Sequence, residues 1–216
     1  MGEGSEARRV VAFVDGQNLY HAARNEFGYT YPSYDPLALA RTVCGRKGWH
    51  LEEVRFYTGV PSPRDDPFRC GFWSAKLPAM GRQGVTVCTR TLRRRSARIR
   101  LAGGGSQLLW TREEKGIDVR IAIDVIRMAY EREYDVALLF SQDKDLSEVA
   151  REIRVIAREQ RRWIKIASAY PRGEGRRKRP GIDLTDWIPI DRATYDACLD
   201  PRDYRPKGGG ELRRRL

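Results

Sequence analysis

The sequence predicts a Rossmann-like α/β fold: a mostly parallel sheet flanked by helices, in a single domain with a basic loop insertion and a basic C-terminal tail. Three observations carry that prediction. Apolar runs such as VVAFV and VALLF are continuous rather than alternating, as suits parallel strands covered on both faces. Between these runs lie stretches with apolar residues at helical spacing, the alternation that builds parallel sheets through right-handed crossovers. The runs also stop at turn and capping residues.

The elements follow in order. RRVVAFVD reads as a strand whose apolar body, Val10 to Val14, ends at Asp15. GQNLYHAARNEFG then turns into a helix at Gly16 to Asn18, with Leu19, Ala22 and Ala23 at helical spacing. Asp35 is placed to cap a second helix, with Pro36 at its first position and LALARTVC as its body. HLEEVRFYTGV supplies a second strand around Val54 to Tyr57, PSPRDDP a proline-rich loop, FRCGFWSAKLPAMGRQ a helix and VTVCTRTL a third strand. KGIDVRIAIDVIRMAYERE sets Ile121, Val125 and Met128 along one helical face. YDVALLFS is a fourth strand, DLSEVAREIRVIAREQ a helix and RWIKIASAY a fifth strand.

The main domain is expected over residues 8–170, with a basic loop at 90–113 that reads as a long hairpin or a mobile loop; residues 171–216 read as a basic loop and C-terminal extension. The 41 Lys+Arg exceed the 29 Asp+Glu to give a formal net charge of +12, which favours a polyanionic partner such as nucleic acid. No apolar run approaches the roughly twenty residues that span a bilayer, and MGEGSEARRV lacks the apolar core of a secretory signal, so no membrane partner and a cytoplasmic location are expected. Cys44, Cys70, Cys88 and Cys198 are scattered without a CxxC pair and read as reduced, mostly buried thiols.

The acids carry the chemistry. In an open parallel sheet, ligands bind beyond the carboxyl ends of the strands. Asp15 ends the first strand, Asp143 and Asp145 follow the fourth, and Asp118 opens the helix that leads into it. Carboxylates brought together there raise one another's pKa, and a divalent cation relieves the conflict. An oxygen-only ligand set suits Mg²⁺ or Mn²⁺. His21 and His50 are the only histidines, so a histidine-based zinc site or a histidine general base has little support. Asp124 lies six residues past Asp118, turned to another helix face, and reads as a structural acid.

The segments FVDGQNLY at 13–20, EKGIDVRIAIDVI at 114–126 and LLFSQDKDLSEVA at 138–150 stand in that order, and together they resemble the NYN domain of the PIN-like nuclease superfamily. The resemblance spans Val10 to Tyr170. It implies a PIN-like fold and a metal-dependent endoribonuclease acting on single-stranded or structured RNA. Asp15, Asp118, Asp143 and Asp145 would be both the catalytic acids and the ligands of Mg²⁺ or Mn²⁺. Asn18 would hydrogen-bond a carboxylate or phosphate, Lys115 would contact phosphate, and Ser141 is assigned to the substrate side. Arg93, Arg94, Arg95, Arg176 and Arg177 would grip the RNA backbone without choosing a sequence. The chain departs from the family pattern at Gln142, where Gly is usual, and at Asp145-Leu146, where Asp-Phe is usual.

Two rival readings remain beside the nuclease: a non-catalytic RNA-binding or regulatory module on the same fold, and a metal-dependent phosphohydrolase. A homodimer stays open as a further partner. No GxGxxG follows the first strand, and GGGS lacks the lysine of a P-loop, which sets nucleotide-cofactor readings aside.

Overall fold

One continuous apolar run feeds two hydrophobic layers, because successive side chains of a strand point to opposite faces. Strand β1 (Arg9–Asp15) sends Val10, Ala12 and Val14 into one core cluster and Val11 and Phe13 into the other. Full burial of such side chains contributes about 1.5–3 kcal/mol each. The structure, a computed structural model, describes residues 7–100, 106–113, 116–174 and 181–206, with backbone alone within 93–113.

After β1 come α1 (Gly16–Phe27), α2 (Pro36–Lys47), β2 (His50–Val60), α3 (Pro67–Arg82) and β3 (Val85–Thr91). A hairpin of β4 (Arg93–Arg100) and β5 (Ser106–Glu113) leads to α4 (Ile117–Tyr130) and β6 (Val136–Phe140). A 3₁₀ turn at Lys144–Leu146 opens α5 (Ser147–Glu159), followed by β7 (Lys165–Pro171), β8 (Asp186–Ile190) and α6 (Arg192–Asp196).

Six strands form one all-parallel sheet in the order β3-β2-β1-β6-β7-β8. The predicted α/β class and its flanking helices are therefore present. Side chains of α1, α2 and α3 fill the core layer on one face, and those of α4 and α5 fill the other. The chain runs outward from β1 to β3, then returns to lay β6 on the opposite side of β1. The loops after β1 and β6 consequently diverge, and the crevice between them is the topological switch point where ligands of such sheets bind.

Local signals set the boundaries as the sequence suggests. Asp35 caps α2 by accepting the Leu37 and Ala38 N–H groups, Pro36 starts the helix, and Gly48 ends it with φ 66°. On α4, Ile121, Val125 and Met128 are buried as their spacing predicts. Of the two forms expected for 90–113, the backbone adopts the hairpin, with register from Arg93↔Glu113 to Arg100↔Ser106.

Beyond Tyr170 the structure differs from the sequence reading. Strand β8 adds a sixth member to the sheet, pairing from Ala167↔Asp186 to Pro171↔Ile190. Tyr195 of α6 and Cys198 are buried in the core layer with α1 and α2. Most positions of DWIPI are exposed, and it carries a proline, as edge strands do; it offers no apolar run for a sequence reading to find.

All four cysteines are free, Cys44 and Cys198 being buried. Among the described residues, no helix is long and apolar enough to cross a membrane.

Candidate active site

Asp15 is the last residue of β1 and the N-cap of α1, where its Oδ1 accepts the Asn18 N–H at 3.0 Å. The next residue must be small: a Cβ on Gly16 would stand 2.5 Å from the Phe56 ring and 3.0 Å from the Tyr57 carbonyl. The Tyr34 hydroxyl donates to the Gly16 carbonyl at 2.9 Å and fixes this junction from the side. Asp15 is thus held at the strand end by backbone geometry on both sides.

Register brings the second acid alongside. Val14 pairs with Phe140, so Asp15 and Ser141 leave the sheet next to each other. Ser141 is buried, its Oγ accepts the Asp143 N–H at 3.1 Å, and its carbonyl accepts the Ser168 hydroxyl at 2.7 Å. Ser141, expected on the substrate side, is buried, and its hydroxyl oxygen holds the Asp143 N–H. Asp143 in turn caps the 3₁₀ turn, accepting the Asp145 N–H at 3.1 Å.

Asn18 joins the two loops. Its Oδ1 accepts the Gln142 N–H at 2.9 Å, so the amide ties the start of α1 to the turn after β6. This oxygen is thereby engaged by a backbone group, on the amide expected to hydrogen-bond a carboxylate or phosphate. Gln142 is not among the described non-glycine residues with positive φ, so the turn does not require the glycine usual at this position.

Asp118 lies in the first turn of α4, which begins after Gly116 at φ 82° and has no side-chain cap. Helix α4 packs on β1 and on the 3₁₀ turn, which brings its N-terminus to the same crevice. Asp15 feels the other two. The Asp15 carboxyl is pushed up to about 6, first by burial and then by the charges of Asp143 and Asp118, against the lowering effect of the Asn18 and Gln17 N–H groups. Asp145 is exposed, and its backbone rather than its carboxylate ties it to Asp143.

The structure therefore brings together Asp15, Asp118 and Asp143 and leaves Asp145 outermost. Among the described residues, no three His, Cys, Asp or Glu side chains form a ready-made metal cage. The donors suit an ion that binds through one or two carboxylates and keeps its waters, as Mg²⁺ does. Lys115, Arg176 and Arg177 lie outside the described residues, as do the side chains of Arg93, Arg94 and Arg95. The hairpin that carries the last three leaves from Leu92, whose N–H donates to Val60 at the carboxyl end of β2.

Asp124 has the structural role expected of it. It is fully buried and accepts from the Tyr57 hydroxyl at 2.8 Å and from Arg120 at 2.6 and 3.1 Å, with Arg55 at 3.5 Å. This network fastens α4, and with it Asp118, to β2.

The site therefore lies on a doubly wound parallel sheet of an α/β protein, with acids at its switch point. The NYN domain family model matches residues 9–162, and the chain belongs to that family of PIN-like nucleases, which generally use divalent metals. No curated protein matches the chain in sequence. Among solved structures it is similar to a protein of unknown function from Vibrio parahaemolyticus, at 19% identity and a TM-score of 0.49, covering 88% of this chain and 98% of that one. It is also similar to MurG of Acinetobacter baumannii, at 10% identity over 84% of this chain and 45% of that one, with a TM-score of 0.32. A deacetylase of the teicoplanin biosynthesis pathway, in complex with teicoplanin, shares 13% identity over 73% of this chain and 68% of that one, with a TM-score of 0.32. None of the three lends this chain a function.

Proposed function

We propose that the protein is a divalent-metal-dependent endoribonuclease that cuts single-stranded or looped RNA at the switch-point crevice. The observation that carries this reading is the acid cluster itself. Asp15 is nearly buried, its ionised form is penalised by burial and by two further acids, and these three residues come from three separate segments. Such a cluster is poised for a cation.

Asp15, Asp118 and Asp143 would hold Mg²⁺ or Mn²⁺, with Asp145 as the outermost acid. When bound, the ion supplies Lewis acidity toward a phosphodiester and screens its charge. The chain's own groups do the rest. Asn18 ties the two acid-bearing loops together, and Ser141 holds Asp143 within its own loop. The uncapped first turn of α4 offers backbone N–H groups to phosphate. The arginines of the hairpin and of 176–177 add sequence-independent attraction, and a strand with splayed bases enters the crevice more readily than a duplex.

Labelled single-stranded RNA incubated with Mn²⁺ or Mg²⁺ tests the reading. Cleavage that EDTA abolishes and Asp143→Asn reduces at least about a hundredfold is the expected result. Tight, salt-sensitive binding without cleavage would replace it with the RNA-binding module.

A further inference from the structure

Beside the acids, rather than among them, the carboxyl edge carries a cleft of about 350 Å³. Gly16 and Gln17, the two residues after Asp15, form one wall. Consecutive α-carbons are about 3.8 Å apart, so a ligand in the cleft lies within one nucleotide's reach of Asp15. The other walls include His21 of α1, Tyr31 in the connection to α2, and Arg69, Phe72 and Trp73 of α3. The volume is that of a small-molecule site, roughly 300–1,000 Å³, and admits one base with its sugar rather than a duplex.

The lining is chemically distinct from the neighbouring acid cluster. Among the described residues, no Asp or Glu lines the cleft. Its open ring is half-buried Tyr31, braced from behind by buried Phe72 at 6.5 Å; Phe72 meets buried Trp73 edge to face at 5.1 Å, and Trp73 backs onto Phe56 at 5.8 Å. Rigid aromatic faces bind bases by stacking without ordering cost of their own. The charge in the cleft is positive, since the Arg69 side chain is 58% exposed and only loosely paired, at 3.6 Å, with Asp66. Burial and the charges of Arg24 and Arg69 lower the His21 pKa, which keeps its imidazole neutral at pH 7 with one donor and one acceptor for a base edge. An aromatic, anionic ligand complements all of this.

We infer that the cleft receives one unpaired nucleobase of the RNA strand, seating the adjacent phosphodiester at the acid cluster. The inference rests on the ribonuclease reading and gives it a substrate-positioning site. A free nucleotide offers the same chemistry, so the test must separate the two sources.

Binding is measured without divalent metal, where cleavage plays no part, using a single-stranded tetranucleotide and a fully abasic oligomer of equal length and charge. The same titrations use His21→Ala and Tyr31→Ala, which alter exposed or half-buried side chains. Wild type should bind the base-bearing oligomer about tenfold more tightly, and either variant should shrink that preference to about twofold. With Mn²⁺ the variants should raise KM about tenfold and leave kcat within about twofold. Equal binding of the two oligomers by wild type, or a preference that survives in both variants, would overturn the assignment. A mononucleotide that competes as well as the tetranucleotide would overturn the strand as ligand. Cleavage without base preference would sink the cleft alone; base preference without cleavage would sink the ribonuclease reading alone.

Discussion

Two aspartates buried in the same domain have opposite surroundings. Asp124 is fully buried, and the fold gives it the Tyr57 hydroxyl and the guanidinium groups of Arg120 and Arg55. Asp15 is 8% exposed, and the fold gives it backbone N–H groups and two more acids, with its carboxyl pushed up to about 6. Burying an unpaired charge is costly, so a carboxylate that serves the fold comes with its own cations. One left among anions at the ligand edge of a sheet is what the proposed metal would stabilise.

The largest effect should come from breaking the compensated member. Asp124→Leu takes the buried acceptor from Arg120 and the Tyr57 hydroxyl, Arg55 keeping Glu53 at 2.9 Å, and should cost about 3–5 kcal/mol, read from the urea unfolding midpoint. A loss under about 1 kcal/mol would erase the contrast. Lys76 tests the same rule with a buried cation whose direct hydrogen-bond partners are carbonyls. It is buried and donates to the Pro32 and Tyr34 carbonyls at 2.9 and 2.7 Å, so Lys76→Met should cost about 2–3 kcal/mol. Burial lowers its pKa to about 8. Its charged form is therefore disfavoured by folding, and its contribution to wild-type stability is lost as pH falls from about 10.5 toward 8, a slope the methionine variant lacks.

The uncompensated member should respond with the opposite sign. Asn can keep the cap at position 15 while removing the charge, so Asp15→Asn should gain about 1–2 kcal/mol at pH 7 to 8 without metal, even as cleavage is lost. Because the folded pKa of Asp15 is raised above 3.8, its stabilising protonated form is complete below that value and lost as pH rises through about 6. The two proteins should therefore converge in stability below about pH 4, as thermal melts across pH would register. The smallest change is expected at exposed Asp145: Asp145→Asn should leave stability within about 0.5 kcal/mol and reduce cleavage less than Asp143→Asn does.

Much of this was legible in the chain because it is local. Strand runs, caps such as Asp15 and Asp35, and the helical face of Ile121, Val125 and Met128 are written within a few residues of one another. The acid convergence followed from the carboxyl-edge rule once the strand order was assumed parallel. What escaped depends on distant partners. Asn18 spends its described side-chain contact on the Gln142 N–H across the switch point, and the Ser141 carbonyl accepts the Ser168 hydroxyl of β7, neither of which spacing reveals. Strand β8 is short, half-exposed and interrupted by Pro189, so only the neighbouring strand makes it a strand. The aromatic cleft collects residues from α1, the following loop, β2 and α3, with no motif to announce it.

The most direct test is calorimetric titration of the metal-free protein with Mn²⁺ in two buffers of different ionisation enthalpy. At pH 6 Asp15 is about half protonated, so ion binding should release about half a proton and give a buffer-dependent heat. That dependence should vanish at pH 8 and in Asp15→Asn. Absence of Mn²⁺ binding, or a heat identical in both buffers at pH 6 for wild type and variant, would contradict the assignment of these acids to a metal.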